Sequence, residues 1–540
     1  MKKLLSSVLA VTLAASIIFT GCAKDPTENN NNGSNANSDN IVTESGKDEN
    51  NTEEKVDGGT LIRPMPTDVS SLNIVYETGD EGLTMLKPVY DPLYIVSNSE
   101  TRYYLAESRT ISEDGLTITL KLKNNLKWHD GQPITADDII FNFDYKNNAL
   151  NKSTSGTKVN GEVIAYEKVD DLTVKFSLPS VSASYDATLG SIKLLPKHIY
   201  EGEENIATSE KNMLGIGSGP FKIKEWNKGE SLVLERFDEY YREKASLESV
   251  VFKIMPNESS QEIALQNGEV NFYRISSQDK YDKYINDDKY EVYSLDEGRI
   301  NYMGFNSNSE IMKDVKAREA IALALNVDEI IEGAYGSSSI AKPAKTVFCE
   351  SNFYYSDVDG YKQDLDKAKQ LIGELGIEGK TLQLVYNSSR PNMEDCALII
   401  QQQLKEVGIN LEITGYETQG FFDKFFYTDL GDWDLGLNGY STNADNQGDE
   451  YMFSLEGFLS KNLCSTEEIA KLWNEGDATN DPVERERIYE QIQTLTKEAY
   501  TMFPISSPNF IFAVDKSIKG CDEINIVPVF EDYTKLYMVK

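Results

Sequence analysis

The sequence predicts a multi-domain α/β protein behind an export segment, and three observations carry that expectation. The chain has 540 residues, enough for three or four units at about 150 residues per domain. Between residues 365 and 413 the apolar spacing switches from helix to strand, to helix and to strand again. Near the N-terminus an apolar run stops at Cys22 and gives way to an Asn-rich, acidic stretch.

In chain order, Met1-Lys2-Lys3 is a short basic start, and Leu4 to Phe19 is the apolar body of a secretory signal ending at Thr20-Gly21-Cys22. Residues 1–21 are read as that signal. Residues 22–58 are read as a tether, because 23–58 hold many Asn, an excess of acidic residues over Lys and no aromatic residue, too little apolar surface to offset chain entropy. Globular sequence is expected from Gly59. Leu116, Ile118, Leu120 and Leu122 alternate as a half-buried strand after the Asp114-Gly115 turn. Trp128-His129-Asp130-Gly131 is a second turn, and Thr135 with Asp138 three residues on is a capping box that starts a helix. Leu365, Ala368, Leu371, Ile372 and Leu375 fall at helical spacing before Gly376, and Leu382, Leu384 and Tyr386 alternate as a strand. A second helix, from Met393 to Val407, stops at Gly408 before Ile409, Leu411 and Ile413 alternate in turn. Such strand–helix–strand units build a parallel or mixed sheet whose ligand crevices lie at strand ends or between domains. A last helix near Glu484–Tyr500 leads to a strand at Phe510–Val514.

Composition narrows the function. A formal charge of −35 opposes unaided binding to nucleic acid or to an anionic bilayer, so a nucleic-acid partner is excluded. Only two histidines, His129 and His198, argue against a His-rich metal centre. No HExxH, GxSxG or CxxC pattern occurs, and no cofactor is implied. Gly373 to Thr381 approaches a phosphate loop, but the spacing is one residue too long and the order is helix to strand; Gly376 and Gly379 read as a helix stop and a turn. Cys349, Cys396, Cys464 and Cys521 allow three complete pairings that the sequence does not choose between.

Phe19-Thr20-Gly21-Cys22 resembles a bacterial lipobox, which implies lipidation of Cys22 and anchoring on the outer face of the cytoplasmic membrane by two acyl chains. Over residues 59–540 six further stretches, in order, resemble the extracytoplasmic solute-binding proteins of peptide-type ABC importers, family 5. They are Leu105-Ala106-Glu107 through Asn142, Gly217-Ser218-Gly219-Pro220-Phe221, Glu235-Arg236 through Tyr240-Tyr241, Asn267-Gly268-Glu269-Val270-Asn271 (Asn where Asp is usual), Asp314 through Ala320, and Gln403 through Ile409.

The resemblance implies a periplasmic-binding-protein-like, two-lobe α/β fold of type II with an extra inserted α+β domain. The expected division is 59–87 with 182–304 and 506–540 as the first lobe, 88–181 as the insertion and 305–505 as the second lobe. It also implies a monomer that captures oligopeptides between the lobes, closes by a hinge and delivers them to ABC permease subunits without covalent chemistry. Gly439-Tyr440-Ser441 resembles the segment that pairs with the peptide backbone as an added strand. Peptide binders usually carry an Asp three residues after that aromatic to hold the ligand's α-ammonium. Here the position is Asn443 and the nearest carboxylate is Asp445, so one of these two is expected to read the N-terminus. Thr78 and Gly79 are expected to face the ligand from the opposite lobe. Trp128, His129 and Arg318 are read as struts of turns and helices, not ligand contacts. Three rival readings stay open on sequence alone: the same fold with a non-peptide solute (oligosaccharide, haem or a metal complex), a peptide-sensing receptor, and a surface hydrolase using a pair from the 88 acidic residues.

Overall fold

Four strands, in the order Phe221–Asn227, Ser231–Arg236, Ser249–Ile254 and Thr60–Met65, make one mixed sheet, with only the last two parallel. Leu232, Leu234, Val250, Phe252 and Leu61 alternate onto one buried face. This computed structural model describes residues 54–540 except Thr78, 98–99, 154–155, Pro391, 427–431, 456–461 and 525–531. Lys55–Val56, inside the stretch read as tether, pairs with Tyr537–Val539, so strand pairing begins before Gly59. Asn271 staples this sheet to the next by accepting from Ile62 N at 2.6 Å and donating to Thr60 O at 2.8 Å, a two-way grip that an amide side chain can supply.

A second unit has its own core. Its antiparallel sheet runs in the order Ala106–Ile111, Thr117–Leu122, Thr173–Ser177 and Ala165–Lys168. Helix Ala136–Asn147 covers it with Ile139 and Phe143, and the expected Thr135–Asp138 capping box is formed. The glycine–proline turn joins this unit to the first. Ser218 and Gly219 N–H both donate to Val89 O, at 3.0 and 2.9 Å, and a Cβ on Gly217 would lie 2.0 Å from that oxygen. His129 braces the turn: its Nδ1 accepts from Gly217 N at 3.2 Å, and its Nε2 stands 3.0 Å from Gly219 O. Arg318 is likewise a strut, donating to Tyr500 O, Met312 O and Ala499 O at 2.7–2.9 Å.

The largest sheet runs Phe272–Ile275, Met502–Asp515, Arg299–Phe305, Leu435–Ser441, Thr381–Asn387, Asn410–Tyr416. Thr381–Asn387 is parallel to both of its neighbours, and helices Leu365–Leu375 and Met393–Glu406 follow the expected spacing. Met502–Asp515 is a single 14-residue strand with two sets of partners: Met502–Ser506 pair with Arg299–Phe305, while Asn509–Asp515 pair with Tyr290–Asp296. The chain crosses between lobes here and at Glu297-Gly298, where Gly298 takes φ 57°, and Glu297 N donates to Pro508 O at 3.2 Å so that the crossings run together. Arg299–Phe305 pairs along its whole length with Leu435–Ser441. Among the described residues no helix is long and apolar enough to cross a membrane.

Candidate functional site

A cavity of about 350 Å³ lies between the lobes beside the two crossings. From the first lobe Arg63, Asp80, Arg274 and Glu297 reach it, and from the second Arg299 and Arg390. Arg63 lies over the Phe272 ring at 4.6 Å, and Arg274 donates to Glu297 Oε1 at 2.8 Å. Arg299 opens the strand Arg299–Phe305 and is buried; its Nη2 donates to Gly439 O at 2.8 Å. Burial first, and then repulsion from Arg390, pulls the Arg299 guanidinium down to about 10. Behind it Asn301 Nδ2 donates to Tyr335 Oη at 3.0 Å and to Ser506 Oγ at 3.1 Å, fixing the wall of the cavity.

The central strand Leu435–Ser441 has one partly open edge. Arg299–Phe305 covers the other edge completely, but Thr381–Asn387 pairs only with Leu435, Gly436 and Leu437. Thr442 N donates to Gly298 O at 2.8 Å, which fixes the alternation: even-numbered residues here exchange hydrogen bonds with Arg299–Phe305, and the Gly439 and Ser441 peptide groups point to the open edge. The arrangement suits an extended chain laid along Asn438–Ser441. A Cβ at Gly439 would stand 2.2 Å from Asn301 Oδ1 and 2.8 Å from Arg299 Nε, so glycine is needed for these side chains to pack over the strand.

The other sequence-derived candidates separate. Tyr440 is buried with Tyr302 and Phe453, and its hydroxyl donates to Val347 O, so its side chain is core and only its place in the strand serves the edge. Ser441 is nearly sealed, its Oγ 3.5 Å from Arg299 Nη1. Asn443 donates from N and from Nδ2 to Asp449 Oδ1, each at 2.9 Å. Asp449 is fully buried, and burial pushes its carboxyl well above the usual carboxylate range. Asp445, the other residue expected to read the ligand's N-terminus, receives Arg485 at both its oxygens and also caps Gln447 N. Gly79 is the N-cap of helix Asp80–Leu86 and donates to Glu77 Oε1 at 3.1 Å, which brings Asp80 to the cavity. Thr78 and Cys22 lie outside the described residues.

Sequence reasoning missed Asp80, Arg299 and Arg390. A signal for Arg299 exists: Arg299 and Asn301 are polar residues inside a run otherwise apolar through Phe305, and such groups are buried at a cost unless they are bonded or face a site. Arg390, in the loop after Thr381–Asn387, carries no comparable mark.

Residues 100–458 match the family model for bacterial extracellular solute-binding proteins, family 5 Middle. The oligopeptide-binding protein AppA of Bacillus subtilis is 27% identical over 491 residues, covering 86% of this chain and 89% of its own; its structure in complex with a nonapeptide aligns with TM-score 0.78 over 90% of this chain and 100% of that one. The ABC transporter substrate-binding protein CtaP of Listeria monocytogenes is 34% identical with TM-score 0.84, over 90% of this chain and 100% of that one. A putative peptide-binding protein AppA of Clostridium difficile is 35% identical with TM-score 0.82, over 89% and 100%. The two lobes are therefore those of the α/β binding-protein fold. With its ordered family motifs, this fold and this length of match, the chain belongs to family 5 of the bacterial extracellular solute-binding proteins, a family of substrate binders of transporters and not of enzymes.

Proposed function

We propose that this chain is the substrate-binding component of a peptide-type ABC importer, taking oligopeptides into the cleft between its lobes. The observation that carries the reading is the open edge of Leu435–Ser441 at Gly439 and Ser441, next to a cavity flanked by both crossings. Main-chain hydrogen bonds along such an edge bind many sequences alike, with side-chain pockets adding preference. The relatives named for oligopeptides support the same reading. Gly439 and Ser441 then pair with the peptide backbone, Asn443 backed by Asp449 faces its amino end, and Gly79 approaches from the first lobe. Residues 88–181 act as the inserted domain. Loaded, closed protein is handed to permease subunits in the membrane, with the diacylglyceryl group on Cys22 keeping the receptor on the extracytoplasmic face as a monomer.

The test is mass spectrometry of small molecules released by denaturing protein purified without its signal and tether, followed by calorimetric titration of the stripped protein. A ladder of peptides, and stabilisation by peptides on rebinding, is expected. Release of one non-peptide species, with no peptide able to rebind, would replace this reading.

A further inference from the structure

Helix Glu467–Asp477 ends on a carboxylate, which the helix itself does not favour. The helix dipole puts negative potential at that end and repels an acidic side chain there. Glu450 stands near enough that Asp477 helps to raise its carboxyl, after burial has raised it first. Within the second lobe Asp477 is therefore poorly placed, and the hydrogen bonds it receives come from another body. Ser184 donates to Asp477 Oδ1 from N at 3.0 Å and from Oγ at 2.7 Å, and Ala183 N donates to Asp477 O at 2.8 Å.

Ser184 moves with the second unit. It precedes helix Tyr185–Gly190, whose Tyr185 and Leu189 pack in that unit's core, and Arg109 of the antiparallel sheet grips Asp186 with two guanidinium nitrogens. Among the described residues that sheet shares no strand with the sheet of the second lobe, and residues 221–254 of the first lobe lie between the two in the chain. Two further contacts join the same two bodies. The Gly115 turn lies against Asn480, where a Cβ would come within 2.6 Å of Nδ2, and Ile95 and Tyr104 bury together with Ala444.

We infer that Asp477 and Ser184 form a latch across the outside of the cleft, made when the lobes close and broken when they open, which sets how tightly any ligand is held. The latch is tied to the ligand loop. Gly476 O, one residue before Asp477, accepts from Arg485 Nε at 3.1 Å, and Arg485 holds Asp445 in the loop that carries Asn443. A contact formed only in the closed protein stabilises every complex alike, because apparent affinity scales with the population of the closed form. It acts chiefly on release, since opening must break it. Neither residue lines the cavity, so both are positioning residues. The inference rests on the peptide reading above, in which ligand binds between the lobes.

The experiment compares wild type with Asp477→Ala, Asp477→Asn, Ser184→Ala and the double alanine variant, all stripped of ligand. Calorimetry and stopped-flow release use two pentapeptides, penta-alanine and the same chain with a central Phe, and urea denaturation is run without ligand. Asp477→Ala should weaken both peptides by the same factor, roughly tenfold for the loss of a charge-assisted hydrogen bond, and should speed their release alike. Its ligand-free stability should equal that of wild type or exceed it, because the open protein keeps only the unfavourable carboxylate. Asp477→Asn retains an acceptor for Ser184 and should lose less affinity, and Ser184→Ala should add nothing to Asp477→Ala. Four results would each overturn the latch and leave the peptide reading standing: unchanged affinity in Asp477→Ala, a loss confined to one peptide, additive losses in the double variant, or a fall in ligand-free stability that matches the fall in affinity. Failure of these peptides, and of those released from the purified protein, to bind wild type would overturn both.

Discussion

Both oxygens of Asp445 receive the guanidinium of Arg485, at 2.7 and 2.9 Å, with each side chain almost sealed from solvent. Arg485 also donates to Gly476 O at 3.1 Å and to Tyr489 Oη at 3.0 Å, and lies over the Tyr354 ring at 4.8 Å. The pair therefore anchors helix Pro482–Glu498 to the loop after Leu435–Ser441, and positions Asn443 through that loop.

Removing one partner of a buried ion pair leaves a charge without compensation. Arg485→Met should lower the unfolding free energy by about 3–5 kcal/mol, and adding Asp445→Asn should restore part of the loss. Urea denaturation of the two single variants and the double variant measures this. A cost under about 1 kcal/mol for Arg485→Met would mean that Asp445 does not depend on it and is available to a ligand.

Gly439 carries a second prediction. Alanine normally suits a strand interior better than glycine, but here its methyl would meet Asn301 and Arg299. Gly439→Ala should destabilise by about 1–3 kcal/mol, the range of overpacking, and should weaken ligand binding by moving Arg299 off the open edge. Ser441→Ala, which removes only a 3.5 Å contact, should do much less. Thermal unfolding with ligand titration of both variants separates packing from binding.

What was legible in the sequence follows from which elements bury one face. Met393–Glu406 and Asn410–Tyr416 bury one side and leave mostly polar residues on the other, and Thr381–Gln383 alternates in the same way, so helical spacing and alternation mark them. Leu435–Ser441 is buried along its whole length and shows no alternation; only the family resemblance pointed to it. The crossing at Glu297-Gly298 is hidden because strand-like sequence continues on both sides of one glycine. The ion pair of Asp80 with Arg390 joins residues 310 apart, and no local rule pairs residues so far apart. The sequence places Asn443 and Asp445 in one loop, but which of them is engaged by Arg485 depends on a helix forty residues further on.

The cysteines give a third prediction. Cys349, Cys396, Cys464 and Cys521 are all free and buried, which leaves none of the three pairings formed. Burial pushes the Cys396 thiol up to about 12, so thiolate is scarce at neutral pH as well as shielded. Native tether-less protein should leave a chromogenic disulfide reagent unreacted over minutes, and the denatured chain should titrate four thiols. Fewer than four after denaturation without reductant would show that a disulfide forms.

His129 sets a pH dependence whose sign can be worked out. Its ring accepts a hydrogen bond at Nδ1 from Gly217 N–H and donates from Nε2 to Gly219 O, which requires the neutral form. Burial is the first cause that lowers its pKa from 6.5 to about 4. Between those values the unfolded chain binds a proton that the folded chain refuses, so the contribution is complete above about pH 6.5 and is lost as pH falls toward 4. Its full size is about 3 kcal/mol. Asp91, held by Tyr240 and Tyr241 and raised to about 6 by burial, titrates with the opposite sign over an overlapping range, so the wild-type curve alone is ambiguous. The difference between wild type and His129→Asn isolates the histidine. That difference in unfolding free energy should shrink by about 2–3 kcal/mol between about pH 7.5 and about pH 4.5. A difference that stays constant would mean that the ring binds its proton equally well in the folded and unfolded chain, so that neither burial nor the bond from Gly217 N–H opposes its protonation.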